Sequence, residues 1–284
     1  MLRIVTDAAA DMPPEWLEEY GIAVLPLYIR FGEESYLSDG RSDAAEFYRR
    51  VLEQRAAPKT SLPSPAQVKA FYRQIAQKGD VIFSLHVASK MSGTFSVVQT
   101  AARELAKEFQ IYVFDSEAGS AALGLMCREV RRLATLGVMP AKILERLEAM
   151  RRRLTVVFTL NTLDFAYLSG RVSALQNAMS MLLKIKPIIV LRDGLLQMTE
   201  KVRTRQNALQ RVVAMAAERL QGRLADVVVV HANDLPTAES LLAAVRRTLR
   251  VREITLSELS LPVAANLGPG TVGIVALPVE EGVE

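Results

Sequence analysis

Short apolar segments alternate with amphipathic segments along the first half of the chain. LRIVTD, DVIFSLH and IYVFDS lack the polar alternation of half-exposed strands, which is typical of strands covered on both faces. Helical patterns follow them, and GIAVLPLYIRF is interpreted as the second strand of the same sheet. Strict alternation of strands and helices favours a parallel, doubly wound sheet. We therefore predict a three-layer α/β domain over residues 1–151.

Capping signals indicate where several of these helices begin. Ser64, Pro65 and Gln67 form the pattern of a capping box with proline at the first helical position. Asp11 is predicted to cap a helix that starts with two prolines, and Ser42 to cap the next one.

The pattern changes near residue 152. KPIIVLRDGLLQMTEKV predicts two strands around an Asp-Gly turn, and residues 161–183 read as mostly helical with a break at 169–170. Thr204–Leu220 and PTAESLLAAVRRTL read as helices, and LTVVFTL, DVVVVHAND, REITLSEL and the end of NLGPGTVGIVAL as strands. A hairpin combined with helices indicates an α/β domain with a mixed sheet over residues 152–284.

Composition excludes several classes of function. The 284 residues carry a formal net charge of +4, too small an excess to indicate nucleic-acid binding. The single cysteine, Cys127, excludes an internal disulfide and lies in an apolar helical pattern typical of the core. The longest apolar runs are too short for a membrane-spanning helix, and the first residues lack the apolar segment of a signal peptide. We expect a cytoplasmic protein with no integral membrane association.

Hydroxyl-rich loops follow the strands of the first half, where an open α/β sheet binds its ligands. The loop SKMSGTF has the form of a phosphate cradle, but the chain lacks the glycine and lysine spacing of a P-loop and the dinucleotide fingerprint. GPGTVG precedes a strand and is interpreted as a tight turn. Nucleotide binding by this chain is therefore disfavoured.

A serine nucleophile is the second interpretation of this loop. Ser92 lacks the elbow motif of the α/β-hydrolases, and the only histidines are His86 and His231. A serine hydrolase acting on acyl esters through Ser92 with either histidine stays open as the alternative, although structural roles are favoured for both. The spacing of histidines and carboxylates predicts no metal site.

A carboxylate is the third ligand that these loops suit. The hydroxyls of Thr60, Ser61, Ser92 and Thr94, with backbone N–H groups after Gly93, are able to hold one without a metal. Because Ser64 and Gln67 already cap their helix, Thr60 and Ser61 are not needed there. An ordinary hydroxyl-bearing turn at Thr60 and Ser61 is an equal alternative on this pattern alone.

Eight segments carry a further signal through their order along the chain. They are IVTDAAADMP, KTSLPSP, ASKMSGTF, VFDSEAGSAALG, LDFAYLSGRVS, LLKIKPII, VRTRQNAL and NLGPGTVGI. In register, they resemble the DegV family, the FakB-type fatty-acid-binding proteins. The first three resemble the family's TDSTADLP, TSQPS and SSKLSGTY, and the others resemble further family segments. The similarity runs essentially end to end.

This resemblance implies two α/β domains with a long-chain fatty acid, such as palmitate or stearate, buried between them. It implies that Thr60 and Ser92 hold the carboxylate, and that a separate ATP-dependent fatty acid kinase converts the acid to acyl phosphate for phospholipid synthesis. The carrier would need no cofactor and no catalytic residue of its own. We expect the tail to lie among apolar residues of the first domain, and the protein to be a monomer.

Four further positions follow from the same resemblance. Asn266 replaces the family's histidine before GPG, and an amide still forms hydrogen bonds but carries no charge. Arg171 remains from a reduced lysine-glycine run and lies either near the head group or in an inter-domain salt bridge. Arg203 and Arg205 are candidates for docking the kinase, with an exposed basic helix start as the alternative.

Overall fold

The computed structural model describes residues 1–40, 44–54, 57–173 and 185–279. The elements of its first half are β1 (Leu2–Asp7), α1 (Pro14–Glu19), β2 (Ile22–Leu25), β3 (Leu27–Phe31), β4 (Glu34–Ser38), α2 (Ala44–Gln54), β5 (Lys59–Ser61), α3 (Pro65–Ile75), β6 (Val81–His86), α4 (Thr94–Glu104), β7 (Gln110–Asp115), α5 (Ala121–Thr135) and α6 (Pro140–Arg153).

Four parallel strands in the order β2-β1-β6-β7 form the first sheet. The central strands β1 and β6 are largely buried on both faces, as their sequences predict, whereas the edge strand β7 is mostly half-buried. Val5 and Ile82 pack against α3 and α4 on one side, whereas Ile4 and Phe83 face a second core that includes α5. Helices on both faces of a parallel sheet confirm the predicted fold class for this half.

Three antiparallel strands in the order β4-β3-β5 form a small sheet that was not predicted. GIAVLPLYIRF is not one strand, because the chain leaves the parallel sheet at Pro26. That residue lacks the N–H that a continuing strand needs, so β2 ends before it and β3 begins after it in a different sheet. This small sheet places Thr60 opposite Ile29.

The second half supplies β8 (Thr155–Thr159), α7 (Asp164–Ser169), β9 (Val172–Ser173), β10 (Lys186–Arg192), β11 (Leu195–Val202), α8 (Arg205–Leu220), β12 (Ala225–His231), α9 (Leu235–Thr248), β13 (Val251–Glu258), α10 (Leu261–Leu267) and β14 (Val272–Pro278).

These seven strands form one mixed sheet in the order β13-β12-β14-β8-β10-β11-β9. The predicted mixed sheet is thereby confirmed, including the hairpin of β10 and β11. Asp193 and Gly194 both have positive φ in its turn, at 51° and 75°, which the Asp-Gly sequence tolerates. Helices α8 and α9 pack on one face, and α5 and α6 contact β14 of this sheet.

The parallel sheet takes its strands from residues 2–115 and the mixed sheet from residues 155–278, and the predicted boundary at residues 151 and 152 falls in the last turn of α6. The boundary itself stays a prediction. The capping box of α3 forms as predicted, with Ser64 Oγ accepting the Gln67 N–H at 3.3 Å. The Ser42 cap and the helix beyond residue 173 lie outside the described residues.

Asp11 does not cap α1, contrary to the prediction. Pro13 occupies the N-cap position of that helix, with no side-chain hydrogen bond. The Asp11 carboxylate instead accepts hydrogen bonds from the Ser120 hydroxyl and from the Ser260 N–H, the latter at 2.7 Å. The local sequence indicated a cap, but contacts far along the chain satisfy this side chain.

Candidate functional site

A cavity of about 120 Å³ is lined by residues from both halves of the chain. Of the 22 lining residues, most are apolar and six carry polar side chains. An apolar pocket with few polar groups is the usual form of a small-molecule site. The six polar residues are Thr60, Ser92, Ser120, Arg171, Asn266 and Thr271.

The apolar wall belongs mainly to the second half of the chain. Val156, Phe158 and Ile274 contribute from the mixed sheet, whereas the first half supplies few apolar side chains, such as Leu27 and Val87. The expectation that the tail lies among apolar residues of the first domain stays a prediction, and this cavity offers the tail more apolar side chains from the second half. The inner face of the mixed sheet is the larger apolar surface available there.

Thr60 reaches the cavity from the middle of β5, a strand of three residues. Its side chain is half-buried, and its hydroxyl has no hydrogen-bond partner among the described residues. The hydroxyl is therefore available to a ligand. The capping box of α3 follows directly and fixes the chain after β5.

Ser92 reaches the cavity from the loop between β6 and α4. The loop turns tightly, because the Met91 and Ser92 N–H groups both donate to the Ala88 carbonyl, at 2.9 and 3.0 Å. Ser92 Oγ accepts the Thr94 N–H at 3.3 Å and lies 2.9 Å from Thr94 Oγ1. When Thr94 donates to Ser92, the Ser92 proton is free for an acceptor in the cavity.

Leu62 and Gly93 bring the two hydroxyl-bearing loops together. A Cβ on Gly93 would lie 2.8 Å from Leu62 Cδ1, so a side chain there would require Leu62 to shift. Ser61, Gly93 and Thr94 are not among the residues lining the cavity. Thr94 is buried behind Ser92, and Gly93 is the N-cap of α4. Of the five predicted carboxylate ligands, the structure brings Thr60 and Ser92 to the cavity itself.

Arg171 and Asn266 both line the same cavity. Arg171 is exposed, and its guanidinium donates to the Ser169 carbonyl beside it. It forms no salt bridge among the described residues. Asn266, on α10, donates from Nδ2 to the Pro262 carbonyl at 2.6 Å, which leaves its second amide hydrogen and its oxygen for other partners.

Arg203 and Arg205 have different surroundings. Arg203 is exposed. Arg205 donates to Asp234 at 3.0 Å and to the Gly270 carbonyl at 2.5 Å. These two bonds fix the loop before β14, so Arg205 has a positioning role within the protein. The docking role predicted for both stays a prediction, and Arg205 is the weaker candidate because its guanidinium is engaged inside the protein.

Neither histidine lies within hydrogen-bond distance of Ser92 among the described residues. His86 Nδ1 is 3.0 Å from Asp7 Oδ2, and its Nε2 is 2.7 Å from Ser84 Oγ. This buried chain resembles a catalytic triad, but Ser84 is fully buried and also 2.7 Å from the Tyr72 hydroxyl. Because Ser84 is shielded from solvent, it has no access to a substrate. We therefore assign this chain of hydrogen bonds a structural role.

His231 and Cys127 also show no catalytic environment. His231 is buried with Nδ1 unpartnered, and burial lowers its pKa. Burial raises the pKa of the Cys127 thiol to about 12, as expected for an inert core cysteine. Within the described ranges, no group of three His, Cys, Asp or Glu residues is placed to hold a metal ion, and the helices are too short or too polar to cross a bilayer.

The sequence analysis missed Gly119 and Ser120, which precede α5 and line the cavity. Ser120 has φ 58° and ψ −145°, a conformation rare for any residue except glycine. Its N–H donates to the Ala9 carbonyl at 2.8 Å. Both residues lie in VFDSEAGSAALG, which is singled out only for its resemblance to a family segment, and no local signal indicates this backbone.

Comparison with known proteins finds relatives of this sequence and fold in one family. The family model described as "Uncharacterised protein, DegV family" matches residues 1–279. A fatty acid-binding protein of Thermotoga maritima is 30% identical over 284 residues, with 96% of each chain covered. The crystal structure of DegV, a fatty acid binding protein from Bacillus subtilis, superposes with a TM-score of 0.88 at 29% identity, covering 98% of this chain and 99% of that one.

A DegV family protein from Thermus thermophilus, described for its fatty acid binding, gives a TM-score of 0.87 at 28% identity, with 98% and 99% coverage. The match of the family model over almost the whole length, together with these relatives, shows that the chain belongs to the DegV family.

Proposed function

We propose that this protein binds a long-chain fatty acid in the cavity and presents its carboxylate to a separate ATP-dependent kinase, which forms the acyl phosphate. The observation that carries the proposal is the apolar cavity with the hydroxyls of Thr60 and Ser92 in its wall. The fatty acid binding of the Thermotoga and Bacillus relatives supports it.

The two ends of the fatty acid contribute differently to the free energy of binding. Burial of ~15 methylenes at ~0.8 kcal/mol each contributes about 12 kcal/mol before the costs of association. Hydrogen bonds to a charged carboxylate contribute about 1.5–3 kcal/mol each. Affinity therefore comes mainly from the tail, and the hydroxyls set the direction in which the acid lies.

The kinase reaction would use groups that this chain presents at its surface. Arg171 is exposed and lines the cavity, so it suits the developing negative charge of an acyl phosphate. Arg203 is exposed at the start of α8 and suits an acidic partner surface. The sequence has no nucleotide-binding motif, which fits a partner that supplies the ATP.

Single Thr60→Ala and Ser92→Ala variants are expected to weaken palmitate and stearate binding about 10- to 150-fold each, because each loses one hydrogen bond to the charged carboxylate. Calorimetric titration of delipidated protein measures the change. Thr100→Ala and Ser96→Ala, on the exposed face of α4, are matched controls that should bind as the wild type does.

An unchanged affinity in both variants would contradict the assigned carboxylate site. The hydrolase alternative is tested on the same proteins with a nitrophenyl ester of a long-chain acid. Turnover that disappears in Ser92→Ala would overturn the carrier role, whereas inertness with intact binding supports it.

A further inference from the structure

Asp11 joins the two walls of the cavity. Its Oδ2 accepts the hydroxyl of Ser120, a lining residue of the first half, and its Oδ1 accepts the Ser260 N–H at the N-cap of α10, 2.7 Å away. Helix α10 carries four lining residues of the second half, among them Asn266. One carboxylate thus fixes how α10 lies against the loops of the first half.

Helix α5 packs closely against the backbone of Asp11. A Cβ on Gly124 would lie 2.8 Å from the Asp11 carbonyl oxygen, so glycine is needed for the contact. The Asp11 residue is only 2% exposed. Separation of α10 from the first half would hydrate the carboxylate, whereas closure removes it from water.

No cation compensates this buried charge among the described residues, since Asp11 forms no ion pair there. The titratable groups around it are Tyr48 of α2, whose buried hydroxyl is unpartnered, Glu258 at the end of β13, and Glu15 of α1 across the surface cleft. Two of these three groups carry carboxyl groups, which do not favour a further negative charge. The hydrogen bonds from Ser120 and Ser260 favour the ionised form of Asp11.

We propose that Asp11 is a positioning residue that couples the two walls of the cavity. Its buried carboxylate promotes separation of α10 from the loops of the first half, which is the opening of the seam between them. This opening sets the rate at which a fatty acid enters and leaves. This inference rests on the proposed function. It accounts for how a cavity lined by both halves of the chain admits and releases its ligand.

Burial raises the pKa of Asp11 to about 6, against the opposing effect of its hydrogen bonds to Ser120 and Ser260. In an open seam the hydrated carboxyl returns toward its ordinary pKa of 3.8. The closed form thus binds the proton more tightly, and protonation favours closure. This favourable contribution is complete below about pH 4 and is lost as the pH rises through about 6.

Exchange of a fatty acid is therefore expected to be about tenfold slower at pH 5 than at pH 7 in the wild type. In Asp11→Asn the amide keeps both hydrogen bonds, accepting from Ser260 and donating to Ser120 Oγ, but has no charge. The variant should exchange ligand at least tenfold more slowly than the wild type at pH 7, with its pH dependence reduced to that of the ligand.

The test loads each protein with a fluorescent long-chain fatty acid and measures its release into excess unlabelled stearate at both pH values. A long-chain primary amide replaces the acid in a second series, because it removes titration of the ligand itself. Ser120→Ala keeps the Asp11 charge but loses one hydrogen bond, so its release at pH 7 should be faster than in the wild type.

Amide hydrogen exchange at Ser120 and Ser260 in the ligand-free proteins reports opening without any ligand, and should be slower in Asp11→Asn at pH 7. Equal release rates and equal amide exchange in wild type and variant at pH 7 would overturn the inference. Failure of every protein to bind a fatty acid would contradict the proposed function instead, and the amide measurement would still decide the role of Asp11 in opening.

Discussion

Gly119→Phe is expected to reduce the affinity for palmitate and stearate by about 200- to 5000-fold. Gly119 lines the cavity, and a Cβ at this position would lie 3.4 Å from Val87 Cγ2 and 4.0 Å from Met91 Cε, both in the cavity wall. A phenyl ring there would displace about four to six methylenes of the tail, which removes about 3–5 kcal/mol of burial. Titration of delipidated protein measures the loss.

Gly119→Ala is the matched control. Its added methyl group meets the wall at ordinary contact distance, and φ at this position is not in the left-handed region, so the backbone accepts a side chain. Binding should remain close to that of the wild type, and the melting temperature shows whether either variant disturbs the fold. Tight binding by a folded Gly119→Phe protein would mean that the ligand lies elsewhere.

Asp7→Ala is expected to lower the free energy of unfolding by about 3–6 kcal/mol, because three buried donors lose their acceptor. The Asp7 carboxylate accepts the N–H groups of Ala9 and Val87, both at 3.0 Å, and the Nδ1–H of His86. Ala9 and Val87 line the cavity, so the same substitution loosens its wall. Urea denaturation followed by circular dichroism measures the change.

The chain of hydrogen bonds behind Asp7 explains why the loss should be large. When His86 donates its Nδ1–H to Asp7 and accepts at Nε2, Ser84 donates to His86 and Tyr72 donates to Ser84, so every member is satisfied only while the last acceptor is present. Burial raises the pKa of Tyr72, which keeps its hydroxyl a donor. Asp164→Ala, an exposed aspartate in the first turn of α7, is the control. A loss below about 1 kcal/mol would contradict this account.

Local sequence signals predicted the elements that depend on local interactions. The apolar strands, the capping box at Ser64 and the Asp-Gly hairpin were all predicted, because propensity and turn chemistry decide them. The sheet of β3, β4 and β5 was missed, since β5 has three residues and a polar sequence. Helix α10 was missed too, although Ser260 followed by proline two residues later is a helix-start signal.

The candidate site was predictable at its polar end and not at its apolar end. Thr60 and Ser92 were identified from hydroxyl-rich loops and a family resemblance, and both line the cavity. Residues such as Phe158 read in the sequence as ordinary core of a buried strand, because a cavity wall and a packed core have the same apolar pattern. Asp11 accepts a hydrogen bond from Ser260, which lies 249 positions away in the sequence, and no local signal predicts such a contact.

The central claim is that this cavity holds a long-chain fatty acid. The most direct measurement denatures the purified wild-type protein, extracts it and identifies the released lipid by mass spectrometry, with Gly119→Phe processed in parallel. We predict a long-chain fatty acid in an amount close to that of the wild-type protein, and little or none from the variant. Absence of lipid from the wild type, together with no rise in its melting temperature when palmitate or stearate is added, would contradict the claim.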